Sequence, residues 1–148
     1  MKLGILSHTE HCLVNGEWNG LSPTVREIDH VCGHFDQVVH AACGYQALDG
    51  YQLEPYKASN LAFVPLRPAG GSRLVDKLGI VSAAPANLRT MLKVIRECDV
   101  VQIRLPTGMG MYLLPALRAA RADCVWAKYA GNWTQKTPPW SYAFQSEA

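Results

Sequence analysis

Short apolar runs alternate along the chain with longer stretches in which apolar residues recur every three or four positions. Lys2 to Ser7, KLGILS, is the first run and reads as a strand, with a loop rich in Gly and Asn following through Gly20. From Ser22 the pattern turns helical: Val25, Ile28, Val31, Cys32 and Phe35 share one face, leaving Arg26, Glu27, His30 and His34 toward solvent. Two starts are open, Ser22 as cap with Pro23 in the first turn, or Thr24 with Glu27 as a capping box. Gln37 to Ala42 reads as a second strand and Leu61 to Leu66 as a third, placed at an edge by Pro65. A short helical turn fits Leu74 to Leu78. The clearest helix spans Pro85 to Glu97, with Leu88, Met91, Leu92 and Ile95 on one side and Arg89, Lys93 and Arg96 on the other. Val100 to Leu105 is a fourth strand; a PTGMG turn, a helix from Met111 to Arg121 and a fifth strand from Cys124 to Tyr129 complete the pattern.

Strands separated by helical segments predict right-handed crossovers and an α/β fold, a Rossmann-like parallel sheet with helices on both faces. Ligands of such sheets bind beyond the carboxyl ends of the strands. The loops to interrogate are therefore Ser7 to Gly20, Gly44 onward, Pro106 to Gly110 and Ala130 to Thr137. With 148 residues, 49% of them apolar, residues 1–148 are expected to form a single domain. The 14 basic and 12 acidic side chains leave a formal charge of only +2, which argues against nucleic acid as a partner. Cys12, Cys32, Cys43, Cys98 and Cys124 are too widely spaced for a zinc or disulfide scaffold and read as reduced thiols. No signal peptide and no transmembrane segment is evident, so a soluble, cytoplasmic protein is expected.

The first loop, SHTEHCLVNGEWNG, gives the backbone room at Gly16 and Gly20 to approach a sugar or phosphate, or simply forms a glycine-containing loop. It carries no dinucleotide fingerprint and no phosphate loop, and no cofactor is expected. His8 follows the first strand and points into the expected cleft, where it can hydrogen-bond a hydroxyl. The pairs His8/His11 and His30/His34 lack a third ligand at matching spacing, so no metal site is expected. Arg104 and Lys128 are cations near the carboxyl ends of apolar strands, where a charge needs a partner. Acceptor hydroxyls or phosphate would serve, and an internal ion pair equally. The turn LPTGMGMY offers a helix amino terminus after Thr107, or an ordinary strand-to-helix connection. In KYAGNW, a cation, the Asn132 amide and two aromatics surround a glycine, as in sugar sites; the tryptophans would otherwise anchor the terminal loop.

Taken together, DVVQIRLPTGMGMYLLPAL, WAKYAGNW and the upstream NGEWNGLSPTVREIDHVCGHFDQVVHAA resemble the amino-terminal domain of family 4 retaining glycosyltransferases, from Lys2 to about Phe144. That resemblance implies one half of a GT-B architecture, in which the first of two Rossmann-like domains binds the acceptor and the second the nucleotide-sugar donor. It places Asn15, Gly16 and Gly20 in the family's first glycine-containing loop, and Arg104, Pro106 and Thr107 in the turn after the fourth strand. The donor half's E-x7-E motif is absent from the sequence. The expectation is thus a carboxyl-terminal donor domain missing or carried by a companion chain, with a sugar acceptor as the ligand and little transferase activity for this chain alone. His8, Asn15, Gly16, Gly20, Arg104, Thr107, Lys128 and Asn132 are the acceptor-binding candidates; no catalytic residue is assigned. The alternative is a stand-alone Rossmann-type ligand-binding or protein-interaction domain.

Overall fold

The computed structural model describes residues 1–48, 50–68, 74–105, 107, 109–120 and 124–129. Its elements are β1 (Lys2–Val14), β2 (Glu17–Leu21), α1 (Ser22–Cys32), β3 (Gln37–Tyr45), β4 (Leu53–Pro55), β5 (Leu61–Leu66), α2 (Leu74–Glu97), β6 (Val100–Leu105), α3 (Gly110–Ala120) and β7 (Val125–Tyr129). All seven strands belong to one mixed, mostly parallel sheet.

Five strands are mutually parallel, in the spatial order β5, β3, β1, β6, β7. Counted along the chain, that order is third, second, first, fourth, fifth. The chain steps outward from β1 to β5, then returns across β1 to build the other half. Helices cover both faces accordingly. Leu3, Ile5 and Val38 pack with Ile28 and Cys32 of α1, while Leu6, Ala41, Val101 and Ile103 pack with Met91, Val94 and Ile95 of α2 and Leu113 and Leu117 of α3. Alternate residues of each buried strand thus feed opposite layers, which is why these strands read as unbroken apolar runs. Outward crossovers on one face and return crossovers on the other are what a single crossover hand requires.

The all-parallel expectation needs correction at the carboxyl edge. The segment Ser7 to Gly20 is not a loop: β1 continues to Val14 and turns back into β2, which pairs with it antiparallel. Asn15 (φ 51°) and Gly16 (φ 85°) form the two-residue turn, both in the left-handed region that primed hairpin turns demand and that Asn-Gly best supplies. The short strand β4 then adds antiparallel to β2. β1 therefore has β3 along one side throughout, and on the other side first β6, then β2.

Between these two partnerships β1 bulges. Leu6 pairs with Ala41 and Glu10 with Cys43, so Ser7, His8 and Thr9 face Ala42 alone. Helix starts differ too. Neither proposed cap operates at α1: Leu21 holds the N-cap position without a side-chain bond, and the buried Ser22 hydroxyl donates instead to the Gln52 carbonyl, 3.0 Å away. Pro23 does lie in the first turn. α2 starts at Leu74, with Pro85 inside it rather than at its head.

Candidate functional site

The point where strand order reverses lies between β1 and β6, and the bulge of β1 sits at its carboxyl side. His8 projects from that bulge, half-buried, with Nδ1 3.1 Å from the hydroxyl of Thr107, two residues past the end of β6. The Thr107 hydroxyl also accepts the Met109 N–H at 3.2 Å, which holds it at the head of α3. Burial lowers the His8 pKa below its ordinary value, opposed in part by the Glu10 charge, so the imidazole is neutral at pH 7. The sequence reading placed His8 after the first strand and Thr107 in the turn after the fourth as separate candidates, and the structure brings the two side chains within hydrogen-bond distance.

On the α1 face of the same edge, Arg104 and Lys128 stand side by side on β6 and β7. Glu27 of α1 reaches both: its Oε2 accepts from Arg104 Nη2 at 2.6 Å and its Oε1 accepts from Lys128 Nζ. Of the two uses open for these cations, the structure shows the internal ion pair. It also corrects Glu27, expected toward solvent; the helix face carrying it leans over β6 and β7. Burial pushes the Glu27 carboxyl up, but the Lys128 hydrogen bond and the Arg104 and Lys128 charges outweigh it, and its pKa lies below the ordinary value.

Sequence reasoning missed a buried polar cluster below this edge. Ser7 Oγ lies 2.7 Å from His40 Nε2, His40 Nδ1 lies 2.8 Å from the Tyr56 hydroxyl, and that hydroxyl lies 2.7 Å from His11 Nε2. His11 Nδ1 is 3.2 Å from the Thr9 carbonyl, and the Thr9 hydroxyl is 2.7 Å from Ser7 Oγ. A carbonyl only accepts, so His11 Nδ1 carries a proton and the neutral ring accepts at Nε2 from Tyr56. The remaining directions follow: His40 Nδ1–H donates to Tyr56, Ser7 donates to His40 Nε2, and Thr9 donates to Ser7. Proton order is fixed along a circuit that leaves from the Thr9 hydroxyl and returns to the Thr9 backbone carbonyl. Burial drives His11 down to about 4 and holds His40 well below the usual histidine range, with His11 and Arg104 adding to the effect on His40. Burial likewise raises the Tyr56 hydroxyl. Phe63 and Trp18 wall the cluster, with ring centroids 4.5 Å apart for His11–Phe63 and 5.0 Å for Trp18–Phe63.

The other candidates fall elsewhere. Asn15 and Gly16 are exposed at the hairpin tip, projecting past the edge. Gly20 is buried opposite His11; a Cβ there would lie 2.5 Å from His11 Nε2, so the glycine makes room for a side chain of the chain itself. Asn132, with the rest of KYAGNW after Tyr129, lies outside the described residues, as do Pro106 and Gly108. His30 and His34 are exposed and edge-to-face at 5.5 Å. A separate open cavity of about 440 Å³, lined by Lys2, Asp36, Gln37, Asn60 and neighbours, lies at the amino ends of the strands, away from all of these groups. Among the described residues no helix is long and apolar enough to cross a membrane.

No protein-family model matches the sequence, and no curated protein matches it. Among solved structures, the chain is similar to the C-terminal domain of a hydrogenase from Pyrococcus furiosus, with a TM-score of 0.52. Identity is 12%, over 86% of this chain and 89% of that one. At that identity the likeness concerns the fold alone, a mixed α/β sheet with helices.

Proposed function

We propose that this chain is a Rossmann-like, acceptor-binding domain of a cytoplasmic, nucleotide-sugar-dependent glycosyltransferase of GT-B type, whose acceptor hydroxyl docks between the carboxyl ends of β1 and β6. The observation that carries the reading is the meeting of His8 and Thr107 where the strand order reverses, the place at which open α/β sheets bind their ligands. A neutral imidazole fixed through Nδ1 presents Nε2, to which nothing bonds among the described residues, and this suits a sugar hydroxyl. Donor binding and the fixed cations that stabilise a departing diphosphate belong to a second domain.

The test is NMR titration of the protein with neutral disaccharides such as maltose and chitobiose, observing the histidine ring nitrogens. Selective shifts at His8 Nε2, lost in Thr107→Val, are expected. Shifts confined to the amino-end cavity, or tight binding and turnover of a nucleotide sugar by this chain alone, would defeat the proposal. The second reading, a stand-alone interaction domain, draws on the hairpin: Leu13 and Val14 are 45% and 40% exposed beside its tip, where a ligand loop was expected. Concentration-dependent association abolished by Leu13→Ser would favour it.

A further inference from the structure

The ion-pair group at the carboxyl edge is short of one anion. Among the described residues two cations on adjacent strands share a single carboxylate, so this group of three carries a net positive charge. Arg104 uses Nη2 toward Glu27, while its Nη1 is shut off from solvent and has no hydrogen-bond partner among the described residues. A buried guanidinium donor without an acceptor is costly, more so than a neutral one, and native proteins rarely leave one so. The group is also approachable: the Lys128 and Glu27 side chains are 36% and 35% exposed, whereas Arg104 behind them is 13% exposed. Glu27 reaches β6 and β7 from the overlying helix α1, so rotating its side chain would free Lys128 Nζ and Arg104 Nη2 beside the unpaired Nη1 of the same guanidinium.

We infer that Arg104 and Lys128 form a binding site for an oxyanion of the ligand, phosphate or carboxylate, and that Glu27 is a resident stand-in which the ligand's anionic group displaces. The inference rests on the reading that the ligand approaches this edge, and it narrows that ligand to an anionic sugar. The guanidinium then offers two parallel N–H donors to two oxygens, the geometry that phosphate and carboxylate match best. Lys128 supplies the second charge from the rim. Displaced Glu27 turns to solvent, which its position on an exposed shoulder of α1 permits.

Calorimetric titration with glucose 1-phosphate, glucuronate and glucose separates the possible sources of the charge. Either anionic sugar is expected to bind and glucose not to bind at this group. A preference for the phosphate or the uronate identifies which. Glu27→Gln keeps the shape and removes the competing charge, so it should tighten anion binding about tenfold, while Lys128→Gln on the exposed rim should weaken it comparably. Thermal melts in inorganic phosphate and in chloride at matched ionic strength give an independent readout. Phosphate should raise the melting temperature, and more so for Glu27→Gln. Equal anion affinity in wild type and both variants, or melts that do not distinguish phosphate from chloride, would overturn the inference. Shifts at His8 with neutral sugars but none of these anion effects would leave the acceptor reading standing alone. The converse pattern would retain the anion site and remove the acceptor reading.

Discussion

Tyr56 shows how much one hydroxyl can hold. It bridges His11 Nε2 and His40 Nδ1, on rings that are both fully buried. Tyr56→Phe keeps the ring against Phe63's neighbours but strands a buried acceptor and a buried donor. A loss of about 2–4 kcal/mol in urea-unfolding stability is expected. The same cluster sets an acid limit. His11 has its pKa lowered from 6.5 to about 4 by burial, so between those values the unfolded chain binds a proton that the folded chain refuses. Stability is therefore full above pH 6.5 and falls as pH drops toward 4, by about 3 kcal/mol from His11 alone, with His40 adding in the same direction. Denaturant midpoints measured from pH 7.5 to 4 check this; a flat profile would contradict the neutral circuit. Little of it was legible in the sequence. His11, His40 and Tyr56 come from β1, β3 and the segment after β4, and nothing local to any of them marks the others. Arg104 and Lys128 were legible as cations in need of a partner, but helical periodicity assigned Glu27 to solvent because it cannot see β6 and β7 beneath that face.

At the scale of elements, the central parallel strands β1, β3 and β6 were readable because burial on both faces makes them continuous apolar runs, whereas β5 and β7 at the two ends of the parallel set are more exposed. The hairpin was not, although its Asn15-Gly16 turn is the strongest short signal for one. The bulge at Ser7, His8 and Thr9 breaks the alternation: Ser7 and Thr9 bond each other, while His8 turns to Thr107 across the crevice. The two hairpin glycines act by different physics, and substitution separates them. Gly20→Ala drives a Cβ to 2.5 Å from His11 and 3.1 Å from Val25, and should cost about 1–3 kcal/mol while disturbing the His11 ring. Gly16→Ala meets no atom within 4 Å, and its cost of about 1 kcal/mol comes from φ alone. Chemical denaturation with histidine ring spectra distinguishes them: both variants lose stability, and only Gly20→Ala shifts His11. Asp29 of α1 supports the same region, its carboxylate accepting the Lys57 and Ala58 N–H groups and so fixing the approach of Tyr56.

For the molecule as a whole, β1 is the spine. Leu3 to Leu6 lie between β3 and β6 with α1 beneath and α2 above, whereas β4 is a three-residue edge on β2. Hydrogen exchange should therefore be slowest for the Leu3 to Leu6 amides, limited by global unfolding, and fast for Leu53 and Glu54 through local opening. Comparable protection in both places would contradict the architecture. The circuit at Ser7, Thr9, His11, His40 and Tyr56 also has an electrical consequence for the edge above it. Burial keeps both histidines and the tyrosine of the circuit uncharged, so a cluster rich in polar atoms adds no net charge to the fold. Arg104 and Lys128 therefore meet no formal counter-charge from the cluster, and with Glu27 counted the three groups together leave one positive charge at the edge between β6 and β7.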